Sequence, residues 1–336
     1  MMIALGLLII AVGAFCQSSC YVPINKIRQW SWESYWLVQG IFAWLILPFL
    51  GALLAVPAGH SLLELYASDT KATLLTLLFG VLWGVGGLTY GLSMRYLGVA
   101  LGQSIALGTC AGLGTILTPV FTGRAGSLTV PVIVGVVVTL CGIAVIGIAG
   151  GMKTKALSEE ERKKAVKDFN FPLGIFVALL CGFMSACFSI GLGFGEGLNF
   201  GDATNPLFST LPATLLVCAG GFLTNAVYCF YQNQKNQTWG DYGKTSLYLN
   251  NIVFCAIAGL LWYSQFFGLS LGKGFLTAAP VLLIFSWCIL QALNVTFSNV
   301  WGIILREWKG VSRLTIAVLL VGLLILVVSI FLPYLL

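Results

Sequence analysis

YWLVQGIFAWLILPFLGALLAVP, residues 35 to 57, carries no charged side chain over a length that spans a bilayer. A hydrocarbon core of roughly 30 Å takes about 20 helical residues, and backbone removed from water must satisfy its own N–H and C=O groups, so this run reads as a transmembrane helix. Just ahead of it, KIRQWSWES at 26 to 34 crowds Lys26, Arg28 and Glu33 against Trp30 and Trp32. Tryptophan gathers at membrane interfaces and basic residues on the cytoplasmic flank, so this segment reads as the inner anchor of that helix.

The pattern repeats along the chain. With 59% hydrophobic and 8% charged residues, and 40 glycines among 336 positions, there is too little polar surface to close a water-soluble globule of this size. Apolar runs near 3–22, 35–57, 73–93, 97–119, 129–150, 172–195, 207–231, 247–269, 276–303 and 313–335 predict an all-α polytopic membrane protein of ten transmembrane helices. SMRYLG and LSLGKG are the expected turns of two tight helical hairpins, between the third and fourth and the eighth and ninth spans. The first run lacks a basic leading segment and a small-residue cleavage site, so it is expected to be a membrane helix rather than a removed signal.

The charges orient these helices. Of 17 Lys and Arg, fourteen fall in odd-numbered loops and only Lys71, Arg124 and Lys273 in even ones. The positive-inside rule then places odd loops in the cytoplasm and both termini on the outer, periplasmic side. Basic residues scattered between apolar runs form no face for nucleic acid. The ten cysteines all sit in apolar segments without disulfide-framework or zinc spacing and read as small reduced hydrophobes.

The longest polar segment, KTKALSEEERKKAVKDFN, divides the chain into residues 1–151, a cytoplasmic helical linker at 152–171, and residues 172–336, with five spans on each side. YGLSM at 90–94 is echoed by FGLSL at 267–271, and GAF at 13–15 by GFM at 182–184. Because five is odd, the second copy enters the membrane in the opposite sense. The expected architecture is therefore two inverted five-helix repeats.

Several stretches carry a family resemblance: CYVPINKIRQWSWESYW, LLFGVLWGVGGLTYGLSMRYLGVALG, TILTP at 115–119, LLWYSQFF and WGIILREWKG at 301–310. Together they resemble the bacterial L-rhamnose/proton symporter family of the drug/metabolite transporter superfamily, most strongly from about 13 to 119 and least from about 196 to 245. The resemblance implies inverted halves, a bacterial inner-membrane location and proton-driven uptake of L-rhamnose or a closely related sugar. It carries over no motif residue by residue.

A transporter needs polar side chains inside the membrane, where they repeat at helical spacing if they share a face. Trp287, Gln291, Asn294, Ser298 and Trp301 in the ninth span do so. Amides supply a donor and an acceptor to a hydroxyl, and aromatic faces cover apolar C–H surface, so the stripe suits a sugar; helix-helix hydrogen bonding is the competing reading. Similar candidates are Trp262 and Gln265 in the eighth span, Gln17 and Tyr21 in the first, and Trp36 and Gln39 in the second. Gly80, Gly84, Gly87, Gly91, Gly98, Gly102, Gly108 and Gly112 read instead as close-packing seams.

Proton coupling asks for a group that titrates near neutral pH, and moving a glutamate from about 4.3 to about 7 takes roughly 3.7 kcal/mol of differential destabilisation of its ion. His60, the single histidine, falls in a loop. Glu33, at the inner end of the second span, and Glu196, continuing a stripe at the outer end of the sixth, are the coupling candidates. Interface anchoring at the positive end of the helix dipole is the first reading of Glu33, and a coupling role the second.

The spans hold no His and Asp cluster, carboxylate pair or metal-spaced ligands, so an enzyme is not expected, and no cofactor or metal is implied. The partners implied are a small sugar, protons and the lipid bilayer, with nothing to set an oligomeric state. A superfamily transporter of a different small metabolite, possibly using another coupling ion, is the alternative, and a receptor that binds without turnover a more distant one.

Overall fold

A computed structural model describes residues 2–97, 99–156, 170–243 and 245–336. Ten helices among them are long and apolar enough to cross a membrane: Met2–Ile24, Trp32–Leu53, Thr70–Leu97, Leu101–Phe121, Val130–Lys155, Phe171–Gly197, Pro206–Asn236, Thr245–Phe275, Pro280–Ile304 and Arg313–Leu335. They are the first to tenth spans below. No β-strand occurs among the described residues. Gly98 and residues 157–169, which hold Glu159, Glu160, Glu161, Asp168 and most of the expected linker helix, lie outside the described residues.

The chain forms two compact units, Met1–Gly84 with Gly191–Leu276 and Val85–Ile190 with Thr277–Leu336. Each unit draws on both halves of the sequence, so packing partners are mostly not sequence neighbours. The first unit takes the first, second, seventh and eighth spans, and the second unit the fourth, fifth, ninth and tenth; the third and sixth spans contribute to both.

Within the first unit, the first span packs along the eighth because glycines on both remove the side chains that would separate them. A Cβ on Gly6 would stand 2.9 Å from the Gly272 carbonyl oxygen, one on Gly13 2.7 Å from that of Ser264, and one on Gly268 3.0 Å from that of Ile9. The Gly268/Gly272 pair is a small-xxx-small seam, which in a bilayer substitutes close van der Waals contact for a missing hydrophobic drive. Gly80 of the third span and Gly220 of the seventh do the same, the latter within 2.7 Å of the Val81 nitrogen, and the Thr224 hydroxyl donates across the seam to the Val81 carbonyl at 2.8 Å. In the second unit the fifth and tenth spans meet through Gly142 and Gly322, joined by a buried Thr139 to Ser329 hydroxyl bond of 2.9 Å.

Three sequence expectations change. LSLGKG is not a turn: the eighth span runs through it to Phe275, and the chain reverses over 276–279, since glycine is tolerated in membrane helices whose seams it forms. Likewise SMRYLG is helical through Leu97. Of the glycine seam, Gly80, Gly84 and Gly102 face crowded atoms and Gly108 and Gly112 ordinary contacts, but Gly87 and Gly91 face open space.

The seam generates a prediction. Gly80→Ala or Gly220→Ala forces backbone against backbone, which overpacking puts at about 1–3 kcal/mol, whereas Gly91→Ala meets nothing. Thermal unfolding in detergent is expected to drop for the first two and to match the parent for the third.

Candidate functional site

Two side-chain clusters in the first unit are built on the second span. The first secures its start. Ser31 enters the helix in extended backbone without a cap from its own side chain. Asp241, from the turn after the seventh span, supplies it: its Oδ2 accepts the Ser31 N–H at 2.7 Å and the Ser34 hydroxyl at 2.9 Å. A carboxylate there also sits at the positive end of the helix dipole. In the first turn, Glu33 Oε1 accepts from Asn236 Nδ2 and from the Thr238 hydroxyl, each at 2.9 Å.

Local backbone explains how Thr238 gets there. Gln237 closes the seventh span in the left-handed conformation, φ 56°, and the Thr238 N–H returns to the Asn233 carbonyl at 3.0 Å, a left-handed helix cap. Asn233 donates to the Cys229 carbonyl, which turns its Oδ1 towards the hydroxyls of Ser34 at 3.1 Å and Thr238 at 3.0 Å. Glu33 and Asp241 thus stand, each 6% exposed, at two ends of one chain of neutral hydrogen-bonding groups. Tyr242 donates to the Ser34 carbonyl at 3.3 Å, and its burial pushes the phenol up, so it remains neutral. Asn251 of the eighth span clasps the backbone of Arg28 through both its N–H and its C=O. The first and seventh loops therefore lie at the same end of the unit, in keeping with their shared basic character.

The second cluster lies deeper. From Ile41 to Ile46 the second span winds as a π-helix. Pro48 follows, lacking an N–H and pressing its ring towards the carbonyl four residues back, that of Trp44, so the ladder widens there. The wide turn holds Trp44 buried at the hub of an indole group: ring centroids lie 5.5 Å from Trp36, 5.9 Å from Trp83 and 5.8 Å from Trp262, all edge to face. Gly40 and Gly221 leave the room that the Trp44 and Trp83 rings occupy. Trp36, Trp83 and Trp262 are only half-buried.

Polar satisfaction differs sharply within this cluster. The Trp36 indole donates to Asn225 Oδ1 at 3.0 Å, and Asn225 Nδ2 in turn to the Gly221 carbonyl at 2.8 Å. Gln265 donates to the Trp262 carbonyl at 3.1 Å. Gln39 Oε1 and Trp44 Nε1, by contrast, are buried without a hydrogen-bond partner among the described residues.

The remaining sequence candidates are placed as follows. Gln17 is half-buried with Ser18 against it, and Tyr21 is exposed. In the second unit Trp287 stacks on Phe188 at 5.8 Å, fills the space left by Gly114 and donates to the Cys110 carbonyl at 3.2 Å, so its indole is engaged by the fold. Gln291 and Asn294 are buried one and two turns further on, and Ser298 is half-buried. Glu196 is exposed in a 3-10 turn closing the sixth span, and His60 pairs with Glu64 at 3.0 Å in an exposed loop. Sequence reasoning missed Trp44, Trp83, Asn225 and Asp241. Proline two positions after the IFAWLI stretch was the available signal for the first; the last two lie in the stretch that carries least resemblance.

The comparisons with known proteins agree with one another. A family model described as L-rhamnose-proton symport protein (RhaT) matches residues 1–333. A protein of Cronobacter sakazakii (strain ATCC BAA-894) named L-rhamnose-proton symporter is 34% identical over 342 residues, covering 97% of this chain and 96% of its own. Proteins of the same name from Yersinia pestis (strain Pestoides F) and Yersinia pseudotuberculosis serotype O:1b (strain IP 31758) are each 33% identical over 343 residues, with the same coverage.

Asn225 gives the cluster its test. Asn225→Leu strips the Trp36 indole of its acceptor, and an unpaired buried donor costs about 1–3 kcal/mol, so detergent-solubilised protein is expected to unfold at lower temperature while Leu223→Ile, exposed on the same helix, leaves it unchanged.

Proposed function

This chain belongs to the L-rhamnose-proton symport protein family, and from that membership and the polar groups of its second span we propose that it imports L-rhamnose together with protons. The chain is a multi-pass membrane protein of a transporter family. The bacterial inner membrane is the proposed location, with both termini on the periplasmic side, supported by the fourteen-to-three bias of Lys and Arg towards odd loops. Alternating access by two inverted five-helix halves is the proposed mechanism.

Sugar recognition in the first unit falls to Trp36, Gln39, Trp262 and Gln265. Glu33 carries the coupling proton. What supports this is its burial, which opposes the ion, set against the Asn236 amide and the Thr238 hydroxyl, which hold it; on protonation those charge-assisted bonds weaken, loosening the start of the second span from the end of the seventh. Glu196, being exposed, has less to exchange.

Linkage fixes the sign. If bound proton and bound sugar favour each other, sugar affinity falls as pH rises and the site loses its proton. Proton-driven uptake of L-rhamnose by the parent protein is therefore expected to decline towards alkaline pH, and Glu33→Gln to exchange L-rhamnose across the membrane with a flat pH profile. A Glu33→Gln protein whose uptake keeps the parental pH dependence removes Glu33 from the role.

A further inference from the structure

We propose that the π-turn at Ile41–Ile46 is the hydroxyl-reading element of the sugar site, with the Trp44 indole N–H as donor and the Gln39 carbonyl oxygen as acceptor to hydroxyls of the bound sugar. The inference rests on the transport reading above and assigns residues and direction of hydrogen bonding within it. Its first support is polar accounting. Trp44 is 4% and Gln39 2% exposed, and Nε1 of one and Oε1 of the other have no partner among the described residues. Inside a membrane no bulk water relieves them, and each orphaned group costs about 1–3 kcal/mol. Within the indole group the Trp36 N–H is satisfied, by Asn225, while elsewhere in the unit Trp30 Nε1, Thr76 Oγ1 and the Tyr263 hydroxyl are also unpaired among the described residues.

The second support is the backbone. A π-turn costs helix geometry, and such turns concentrate at functional sites. Here it sets Trp44 at the centre of the indole group, 5.9 Å from Trp83 and 5.8 Å from Trp262. The third is chemical fit. A 6-deoxy sugar has a polar edge of hydroxyls and an apolar surface of C–H bonds and one methyl group. One donor and one acceptor suit the edge, and the partly uncovered rings of Trp36, Trp83 and Trp262 suit the surface. A site built to hydrogen-bond a hydroxyl discriminates strongly against the analogue lacking it, because its own buried groups are then left bare.

The test pairs variants with sugars. In proteoliposomes, counterflow of labelled L-rhamnose is measured for the parent, Trp44→Phe and Gln39→Met, against L-rhamnose and its monodeoxy analogues. Trp44→Phe keeps a ring at the hub but deletes the N–H. It is expected to raise the KM for L-rhamnose about tenfold, the scale of one buried hydrogen bond. The analogue missing the hydroxyl read by Trp44 is expected to be handled poorly by the parent, and no worse than L-rhamnose by Trp44→Phe. Gln39→Met is expected to erase discrimination at a hydroxyl in the same way, and it stands as the test if Trp44→Phe does not insert. Parental KM and an unaltered ranking of analogues in the folded variants overturn the proposal. Failure of the parent itself to exchange L-rhamnose overturns the transport reading instead.

Discussion

A polar group inside a bilayer has to find its partner in the protein, and this constraint shapes both units. Charged residues are only 8% of the chain, so each buried polar side chain stands out and its bonding can be followed. Most are spent on joining helices. Thr224 ties the seventh span to the third, Ser329 and Thr139 join the tenth to the fifth, and Asn251 holds the loop before the second span. Glycine does the complementary work, bringing backbones close enough for such short side chains to reach.

Against that economy the second span is exceptional twice. At its start two buried carboxylates, Glu33 and Asp241, are held by hydroxyls, amides and a backbone N–H. Farther in, a π-turn and a proline interrupt the regular ladder and leave a donor and an acceptor unspent. The carboxylates also cap the helix start, but the unspent donor and acceptor stabilise nothing within the fold. A helix that has to exchange protons at one level and sugar hydroxyls at another gains from both, since reversible partners require groups the fold has not already committed.

The spans and their number were legible because bilayer thickness writes a period of about 20 apolar residues directly into composition. Family membership was legible from the stretches before Pro119, and full-length matches to relatives agree with it. The turns were misplaced where glycine, a turn residue in water, serves instead as a packing surface, as in LSLGKG. Within the site, Trp36, Gln39 and Trp262 were recognisable as polar or aromatic residues at helical spacing. Their neighbours were not: Asn225 meets Trp36 and Asn236 meets Glu33 across about two hundred residues, and helical periodicity is silent about such pairs. Trp44 escaped for a different reason. A π-turn breaks the 3.6-residue register on which a stripe is read, so the residue at the hub fell off the face that included Trp36.

The account turns on sugar and proton moving together, and one measurement addresses that directly. In a lightly buffered, de-energised suspension of cells carrying this protein, external pH is followed as L-rhamnose is added. The account predicts a transient alkalinisation that control cells lack. Entry of labelled L-rhamnose with no pH change would contradict proton coupling, and no entry at all would contradict the substrate.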